Sequence, residues 1–196
     1  MIHILYEPFP EEIRADGNTY RILTDFREWL RFSDLVRDKE IPVNVKMYMM
    51  LEWLEHPPDT PTMQIINELF AFLYAKVLEP DPREDDEEDE QDEQLPRPPV
   101  FDWKIDARYL LSDFRRYYNI DLLRVEYLHW WEFKSLFLGL PDESTCRKRI
   151  EIRGSDLSQI KNRADKMRIA KMQRQIALPY EISEDEGAAM LWSMWE

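Results

Sequence analysis

The sequence predicts a mainly α-helical protein: about seven helices in one compact domain, with a small N-terminal β-hairpin and a disordered acidic loop. Three observations predict this fold class. The 196 residues include 44% hydrophobic side chains but only 4 glycines, a composition typical of long helices around a core. Apolar residues recur at three- and four-residue spacing through most of the chain. Residues 79–99 depart from that pattern with eleven acids and two arginines.

A hairpin is predicted near the start of the chain. Asp16-Gly17 lies between Ile13-Arg14-Ala15 and Tyr20-Arg21-Ile22, and both residues of this dipeptide tolerate the positive φ of a two-residue turn. A further short strand is expected at residues 2–6. We therefore expect β-structure only at the beginning of the chain.

Three helices are predicted next. Thr24 is the expected N-cap of the first, because its hydroxyl can accept a free backbone N–H, and this helix should run to about Arg37. The second should start at Pro42, whose missing N–H is not needed there, and be ended by Pro57 and Pro58. The third is predicted from an apolar stripe that begins at Met63.

Residues 79–99 are expected to form a disordered acidic linker. Eleven acids against two arginines give this segment a net charge of −9. Such a segment repels itself and cannot bury enough apolar surface to offset the entropy of ordering. A solvated tether is one interpretation. Mimicry of a nucleic acid, or of a partner's acidic ligand, is the other.

Four more helices are predicted after the linker, over about residues 105–118, 126–138, 142–152 and 156–177. Asn119 is the expected positive-φ C-cap of the first, and Ser155 the expected N-cap of the last. Large apolar side chains are densest from Phe101 to Leu140. That stretch is therefore expected to form the centre of the core.

The predicted domain organisation has four parts. An N-terminal part (1–78) holds the hairpin and the first helices, and the acidic linker (79–99) follows. A helical core (100–180) continues the same domain. A tail (181–196) ends in Trp- and Met-rich sequence.

Catalytic chemistry is not expected from the reactive residues present. The clustered glycines of dinucleotide-binding and P-loop sites do not occur in the sequence. His3, His56, His129 and Cys146 lie far apart, which argues against a nucleophilic triad or a zinc site. His129 and Glu132 could share a metal on one helix face, but among aromatic neighbours the histidine is better interpreted as a hydrogen-bonded residue at the core's edge.

A faint nuclease-like pattern is the weakest alternative. Pro141-Asp142 precedes Glu151-Ile152-Arg153, but arginine stands where nucleases of this type carry a lysine that assists a metal-bound water. The segment is also predicted to be helical rather than extended. We therefore predict a non-enzymatic protein with no cofactor and no metal.

Partner binding is expected in two places. Residues 144–178 carry ten bases and three acids, a net charge of +7. This charge fits a solvated helix face, docking of an acidic partner or of the protein's own linker, or, less well, nucleic acid. The candidate contacts there are Arg147, Lys148, Arg149, Lys161 and Arg168. In the tail, apolar side chains could enter a partner's groove or cover the protein's own core; they are Met190, Leu191, Trp192, Met194 and Trp195.

Seven blocks along the chain are distinctive: Leu5-Tyr6-Glu7-Pro8, Thr24-Asp25-Phe26-Arg27-Glu28-Trp29, Tyr118-Asn119-Ile120-Asp121-Leu122, Leu128-His129-Trp130-Trp131-Glu132-Phe133, Leu138-Gly139-Leu140-Pro141, Arg153-Gly154-Ser155-Asp156-Leu157-Ser158 and Ala177-Leu178-Pro179. In these blocks the chain resembles the bacteriophage gene-product-fifteen family of siphophage tail-module proteins. The resemblance covers residues 1 to about 180. The acidic linker and the Trp-rich tail depart from the family pattern.

The resemblance implies a gene position between the major tail protein and the tape-measure protein, the position of tail assembly chaperones. The function expected from it is a chaperone that binds and solubilises the tape-measure protein and helps the tail tube polymerise. The major tail protein and a second copy of the chain are further candidate partners, whereas nucleic acid and membranes are not expected. The alternative is a regulatory or nucleic-acid-directed phage protein that uses the basic region 144–178 or the acidic linker.

The expected location is the host cytoplasm during infection, with the protein absent from the mature virion. One cysteine is the usage of a reducing compartment. No stretch approaches the roughly 20 apolar residues of a membrane span, and no export signal is recognised at the start of the chain.

Overall fold

The structure is a computed structural model that describes residues 6–74 and 99–179. Within those residues it contains seven α-helices and one two-stranded antiparallel sheet, which confirms the mainly helical class and the hairpin. Residues 1–5, most of the predicted acidic linker and the predicted tail lie outside the described residues. The elements are β1 (Glu12–Ala15), β2 (Asn18–Arg21), α1 (Phe26–Arg37), α2 (Val43–Met50), α3 (Met63–Tyr74), α4 (Ala107–Tyr118), α5 (Trp130–Leu138), α6 (Thr145–Gly154) and α7 (Arg163–Ile176).

The described residues divide into two compact units. Residues 6–74 and 126–135 belong to the first, and residues 99–125 and 136–179 to the second. The apolar stretch Phe101–Leu140 is therefore shared between two units instead of forming a single centre. The four-part domain organisation expected from the sequence stays a prediction.

The hairpin turns at the predicted dipeptide. Asp16 and Gly17 both have positive φ, 53° and 75°, and Ile13 pairs with Tyr20 in the antiparallel register. Ile13 and Ala15 are buried while their neighbours are exposed, the alternation of a strand with one face on a core. The sheet therefore contributes one apolar face to the first unit.

Helix α1 begins one residue later than predicted, with Asp25 as its N-cap. The Asp25 carboxylate accepts the backbone N–H of Arg27 at 2.9 Å, which satisfies a donor that the helix cannot satisfy itself. Thr24 is occupied elsewhere, since its hydroxyl lies 2.8 Å from the hydroxyl of Tyr127. The predicted end at Arg37 is confirmed.

Helix α2 is shorter than predicted, because the chain tightens into a 3-10 turn at Leu51–Trp53. Its buried residues are Lys46 and Met50. The Lys46 ammonium donates to the carbonyl of Val36 at 2.8 Å, so it compensates the negative end of α1.

The Trp-Trp-Glu-Phe-Lys sequence at the start of α5 caps the end of α3. The indole nitrogens of Trp130 and Trp131 donate to the carbonyls of Leu73 and Phe72 at 2.8 and 3.0 Å. The ammonium of Lys134 donates to the carbonyl of Tyr74. Carbonyls in the last turn of a helix have no partner within it. These aromatic residues thus hold α5 against α3 through hydrogen bonds as well as burial.

Helix α5 was predicted to begin near residue 126 but begins at Trp130. The preceding residues are extended instead, because they pair with the chain before α1. The carbonyl of Leu128 accepts the backbone N–H of Phe26 at 2.9 Å, and the backbone N–H of Trp130 donates to the carbonyl of Thr24 at 2.8 Å. His129 and Asp25 form the bridge between these two segments. Backbone pairing between segments more than 100 residues apart in sequence therefore prevents residues 126–129 from following their local helical pattern.

His129 is a hydrogen-bonded residue at the edge of the core, as interpreted from the sequence. Its side chain is 6% exposed. Nδ1 accepts the backbone N–H of Trp131 at 3.0 Å, and Nε2 lies 3.1 Å from the carbonyl of Pro10. Both contacts fit a neutral ring with its proton on Nε2. Burial lowers the pKa of His129, against the opposing effects of Pro10 and nearby acids.

In the second unit, α4 ends as predicted at Asn119, which has a left-handed conformation with φ 56°. The long helix predicted from residue 156 is wrong in its first part, since α7 begins at Arg163. Ser155 does not cap it, because the Ser155 hydroxyl donates to the carbonyl of Glu151 in α6. The N-cap is Asn162, whose side chain accepts the N–H of Ala164 at 2.8 Å.

Candidate partner-binding surface

A buried carboxylate organises the second unit. Asp106 is fully buried just before α4. Arg149 and Arg153 of α6 both bind it, with closest distances of 3.0 and 2.5 Å. Burial raises the cost of ionising Asp106, but hydrogen bonds from Arg153, the Asp102 backbone and Arg149 hold its pKa below the usual value. The negative charge therefore persists at neutral pH and fixes α6 against the start of α4.

Arg153 uses its fork of donors to join three segments. Besides Asp106, it donates from Nη1 to the carbonyl of Val100 at 2.9 Å and from Nε to the carbonyl of Ile176 at 2.7 Å. The planar guanidinium suits such divergent hydrogen bonding, which a lysine could not reproduce. One side chain thus ties the chain before α4, the helix α6 and the last residue of α7 together.

A second carboxylate of α4 caps α6. Asp113 is buried and accepts the backbone N–H groups of Thr145 and Cys146 at 3.2 and 2.8 Å. Negative charge is favourable at this end of a helix. Cys146 is itself fully buried, and burial, followed by the neighbouring Asp113, raises the pKa of its thiol far above the usual value. The thiol is therefore unreactive.

Helix α7 lies on the second unit without burying any residue. Its inner face consists of the half-buried residues Ile169, Gln173 and Ile176. The Gln173 amide donates to the carbonyls of Ile152 and Ser155 at 2.9 and 2.8 Å. Helix α7 is thus held mainly by a few polar contacts near its C-terminal half.

The opposite side of α7 is a basic surface with an apolar residue within it. Arg163, Met167, Lys171 and Arg174 recur at spacings of four, four and three, so they share one face of the helix. All four are exposed, and Met167 is 65% exposed. We call these four residues the outer face of α7. It can accept a partner that combines negative charge with an apolar side chain.

The basic residues singled out from the sequence have different surroundings. Lys148, Lys161 and Arg168 are exposed. Arg147 is partly exposed and lies 3.9 Å from Asp142. Arg149 is 16% exposed and bound to Asp106. The apolar tail candidates, Met190 to Trp195, lie outside the described residues.

A second exposed surface belongs to the first unit. Val43, Val45 and Tyr48 of α2 are 37, 42 and 54% exposed. The only charged side chain of this helix, Lys46, is buried. The solvent side of α2 is therefore uncharged and largely apolar, with Asn44 as its exposed amide, a character typical of a protein contact when the patch is large enough.

Over residues 6–74 and 99–179, no group of three or more His, Cys, Asp or Glu side chains is arranged to hold a metal ion. Asp142 and Glu151, the acids of the faint nuclease-like pattern, are both exposed. Its third member, Arg153, is committed to Asp106. The three residues thus do not share one site.

The family described as Bacteriophage Gp15 protein matches the chain over residues 5–178. The chain belongs to this family. Both described units fall almost wholly within the matched range, so the ion cluster around Asp106 and the outer face of α7 are parts of the family region. The tail beyond residue 178 falls outside the match. No curated protein and no solved structure matches the chain.

Membership identifies this Gp15-family chain as a phage protein. In the part of the chain that the structure describes, none of the helices has both the length and the apolar character needed to cross a membrane.

Sequence reasoning missed Asp106, Asp113 and the role of Arg153. Asp106 and Asp113 are seven residues apart and flank Leu110 on one helical face, which is the face that α4 buries. Carboxylates on an apolar face need charged or N–H partners. The excess of arginine in residues 147–153 was therefore a usable signal for an internal ion cluster, in addition to a surface site.

Proposed function

We propose that this protein is a phage tail assembly chaperone that binds and solubilises the tape-measure protein and helps the tail tube polymerise. The observation that supports it best is the outer face of α7, where the exposed Met167 lies among three exposed bases. The tail-module gene position implied by the family resemblance supports the choice of partner. The chaperone acts without catalysis in the host cytoplasm and is not retained in the virion.

A tape-measure protein is a long, helix-rich chain whose apolar stripes must be covered until tube subunits enclose it. The outer face of α7 suits one such stripe flanked by acids, because a methionine adapts to irregular apolar surfaces while arginine and lysine bind carboxylates. The exposed side of α2 offers an uncharged and largely apolar contact. The two surfaces lie on different units, so each can be tested separately.

Co-expression with tape-measure fragments tests the proposal. We expect the fragments to remain in the supernatant and to co-purify with the protein. Changing the outer face by Arg163→Glu, Met167→Glu and Lys171→Glu should reduce the soluble yield. A matched control is the triple variant Lys104→Glu, Leu123→Glu and Arg124→Glu, which makes the same change in charge at exposed positions of the same unit.

Fragments that stay insoluble with the unaltered protein would contradict the proposal. Equal losses in the two triple variants would mean that the outer face of α7 has no specific role. The same reasoning applies to α2, with Tyr48→Glu as the variant. A blot of purified virions tests the proposed location, since retention of the protein in the particle would oppose a transient assembly role.

Nucleic-acid binding is a second candidate function, favoured by the excess charge of the same helix. Residues 161–174 carry six bases and one acid. Helix α7 contains no aromatic residue, so bases would not be stacked, and binding would rest on phosphate contacts alone. An electrophoretic shift at low salt should then disappear steeply as salt rises, and Arg163→Glu with Lys171→Glu should abolish it.

A further inference from the structure

Four basic residues in and just before α7 form no ion pair with any described carboxylate. They are Lys161, Arg163, Lys171 and Arg174, whereas Arg168 has Asp165 at 3.7 Å. Like charges at three- and four-residue spacing on a helix repel one another. A surface of this kind gains stability from any polyanion that binds it.

The chain that carries the largest negative charge is attached beside one end of this helix. Arg153 donates to the carbonyl of Val100 and to the carbonyl of Ile176, at 2.9 and 2.7 Å. The described chain resumes at Pro99, next to Val100. Val100, to which the acidic segment is joined through six intervening residues, therefore lies close to the C-terminal end of α7.

Charge and reach both match the outer face of α7. Residues 84–93 hold nine acids and no base. Helix α7 has 14 residues, which corresponds to a length of about 21 Å. Val100 follows Glu93 by seven positions in the sequence, and a stretch of that length spans roughly 23 Å when extended. The acids can thus be placed along the whole helix.

We infer that residues 84–93 bind the outer face of α7 in the free protein and compete there with any acidic partner. The inference does not depend on the identity of that partner. A short tether produces an effective concentration in the millimolar range, which exceeds any realistic concentration of a second chain. Pairing within one chain is therefore favoured over pairing between chains.

The consequence for partner binding is selectivity. A partner that offers only negative charge must displace residues 84–93, which already bring negative charge to the outer face of α7. A partner that also offers an apolar side chain gains the contact with Met167, for which residues 84–93 provide no apolar counterpart. The intramolecular contact would therefore disfavour nucleic acid and other simple polyanions more than an amphipathic protein segment.

A spin label on the full-length protein tests the contact. The Asp89→Cys variant can be labelled selectively, because the native Cys146 is buried and unreactive. In ¹⁵N-labelled protein at low salt, we expect the amide signals of α7 to lose intensity through the nearby nitroxide. The loss should vanish in the variant Lys161→Gln, Arg163→Gln, Lys171→Gln and Arg174→Gln. It should also vanish at about 1 M salt, where the Debye length is about 3 Å.

Two controls separate this contact from others. Mixing spin-labelled ¹⁴N protein with unlabelled ¹⁵N protein should leave the α7 signals intact, and a loss in that sample would show a contact between chains, which would overturn the inference. The tail is also acidic at Glu184, Asp185 and Glu186. If a spin label at Glu186→Cys broadens the α7 amide signals and the label at Asp89→Cys does not, the outer face of α7 binds the tail instead of residues 84–93.

An unchanged α7 spectrum with the label at Asp89→Cys, at low salt, would likewise refute the inference. So would a loss of intensity that persists in the four-site variant, because the segment would then lie near α7 for another reason. These outcomes are independent of the co-expression result, so failure of the chaperone proposal and failure of this contact can be distinguished.

Discussion

Replacing Asp106 by asparagine should destabilise the second unit more than any comparable surface change. The amide keeps the shape of the side chain but removes the charge that Arg149 and Arg153 share. Arg153 is 5% exposed, so its guanidinium would be left buried without its main counter-ion. Removing one partner of a buried ion pair typically costs about 3–5 kcal/mol of unfolding free energy.

The matched control is Asp165→Asn. Asp165 is the partner of Arg168 at 3.7 Å, and both side chains are more than half exposed. Exposed pairs of this kind contribute about 0–1 kcal/mol. Urea unfolding followed by circular dichroism should therefore shift to much lower urea for Asp106→Asn and hardly at all for Asp165→Asn.

The pH dependence gives a second measure of the same interaction. The pKa of Asp106 is lower in the folded protein than its usual value, so its stabilising effect is fully present above about pH 4 and is lost as the pH falls through the folded pKa. The stability difference between the unaltered protein and Asp106→Asn should thus be constant from pH 7 to 5 and shrink in stronger acid. Equal urea midpoints for the two asparagine variants would refute this account.

Three further perturbations test the contacts described above. Arg153→Lys keeps the positive charge but removes the several N–H donors of the guanidinium. We therefore expect faster hydrogen exchange of the amides near Ile176 and little change in the first unit. Trp131→Phe removes the donor to the carbonyl of Phe72, and an unsatisfied buried acceptor should cost about 1–3 kcal/mol in urea unfolding. Burial lowers the pKa of His129. Its contribution to the unfolding free energy should therefore be complete above about pH 6.5 and decrease as the pH falls toward the folded pKa. His129→Gln should flatten this pH profile of stability, whereas His56→Gln, at an exposed site, should not.

Local backbone chemistry was the most predictable part of the fold. Asp16-Gly17 and Asn119 were assigned positive φ from residue type alone, and the structure has both. The reason is that few residues tolerate this region, so their occurrence between periodic segments is informative.

Helix boundaries were less predictable where side chains had competing partners. Thr24 and Ser155 are both good N-caps in isolation. Each hydroxyl instead bonds a group brought near by the fold, Tyr127 for Thr24 and the Glu151 carbonyl for Ser155. Local preference is a weak term against such contacts. The candidate surface was predictable as a basic region, but the sequence did not separate Arg149, which is bound internally, from the exposed bases of α7.

The late arrival of residues 126–135 in the first unit has a consequence during synthesis. Trp130, Trp131 and Phe133 complete a core most of whose other members precede Ala75. The 51 residues 75–125 must be synthesised between the two segments. At about 5–20 residues per second, the ribosome needs on the order of 3–10 s for that interval. During that time the carbonyls of Phe72 and Leu73 lack their indole donors, and the ring of Phe26 lacks Phe133, on which it stacks in the folded protein. A nascent chain paused before residue 126 should therefore be a target for host trigger factors and proteases, which makes translation speed in this interval a determinant of yield.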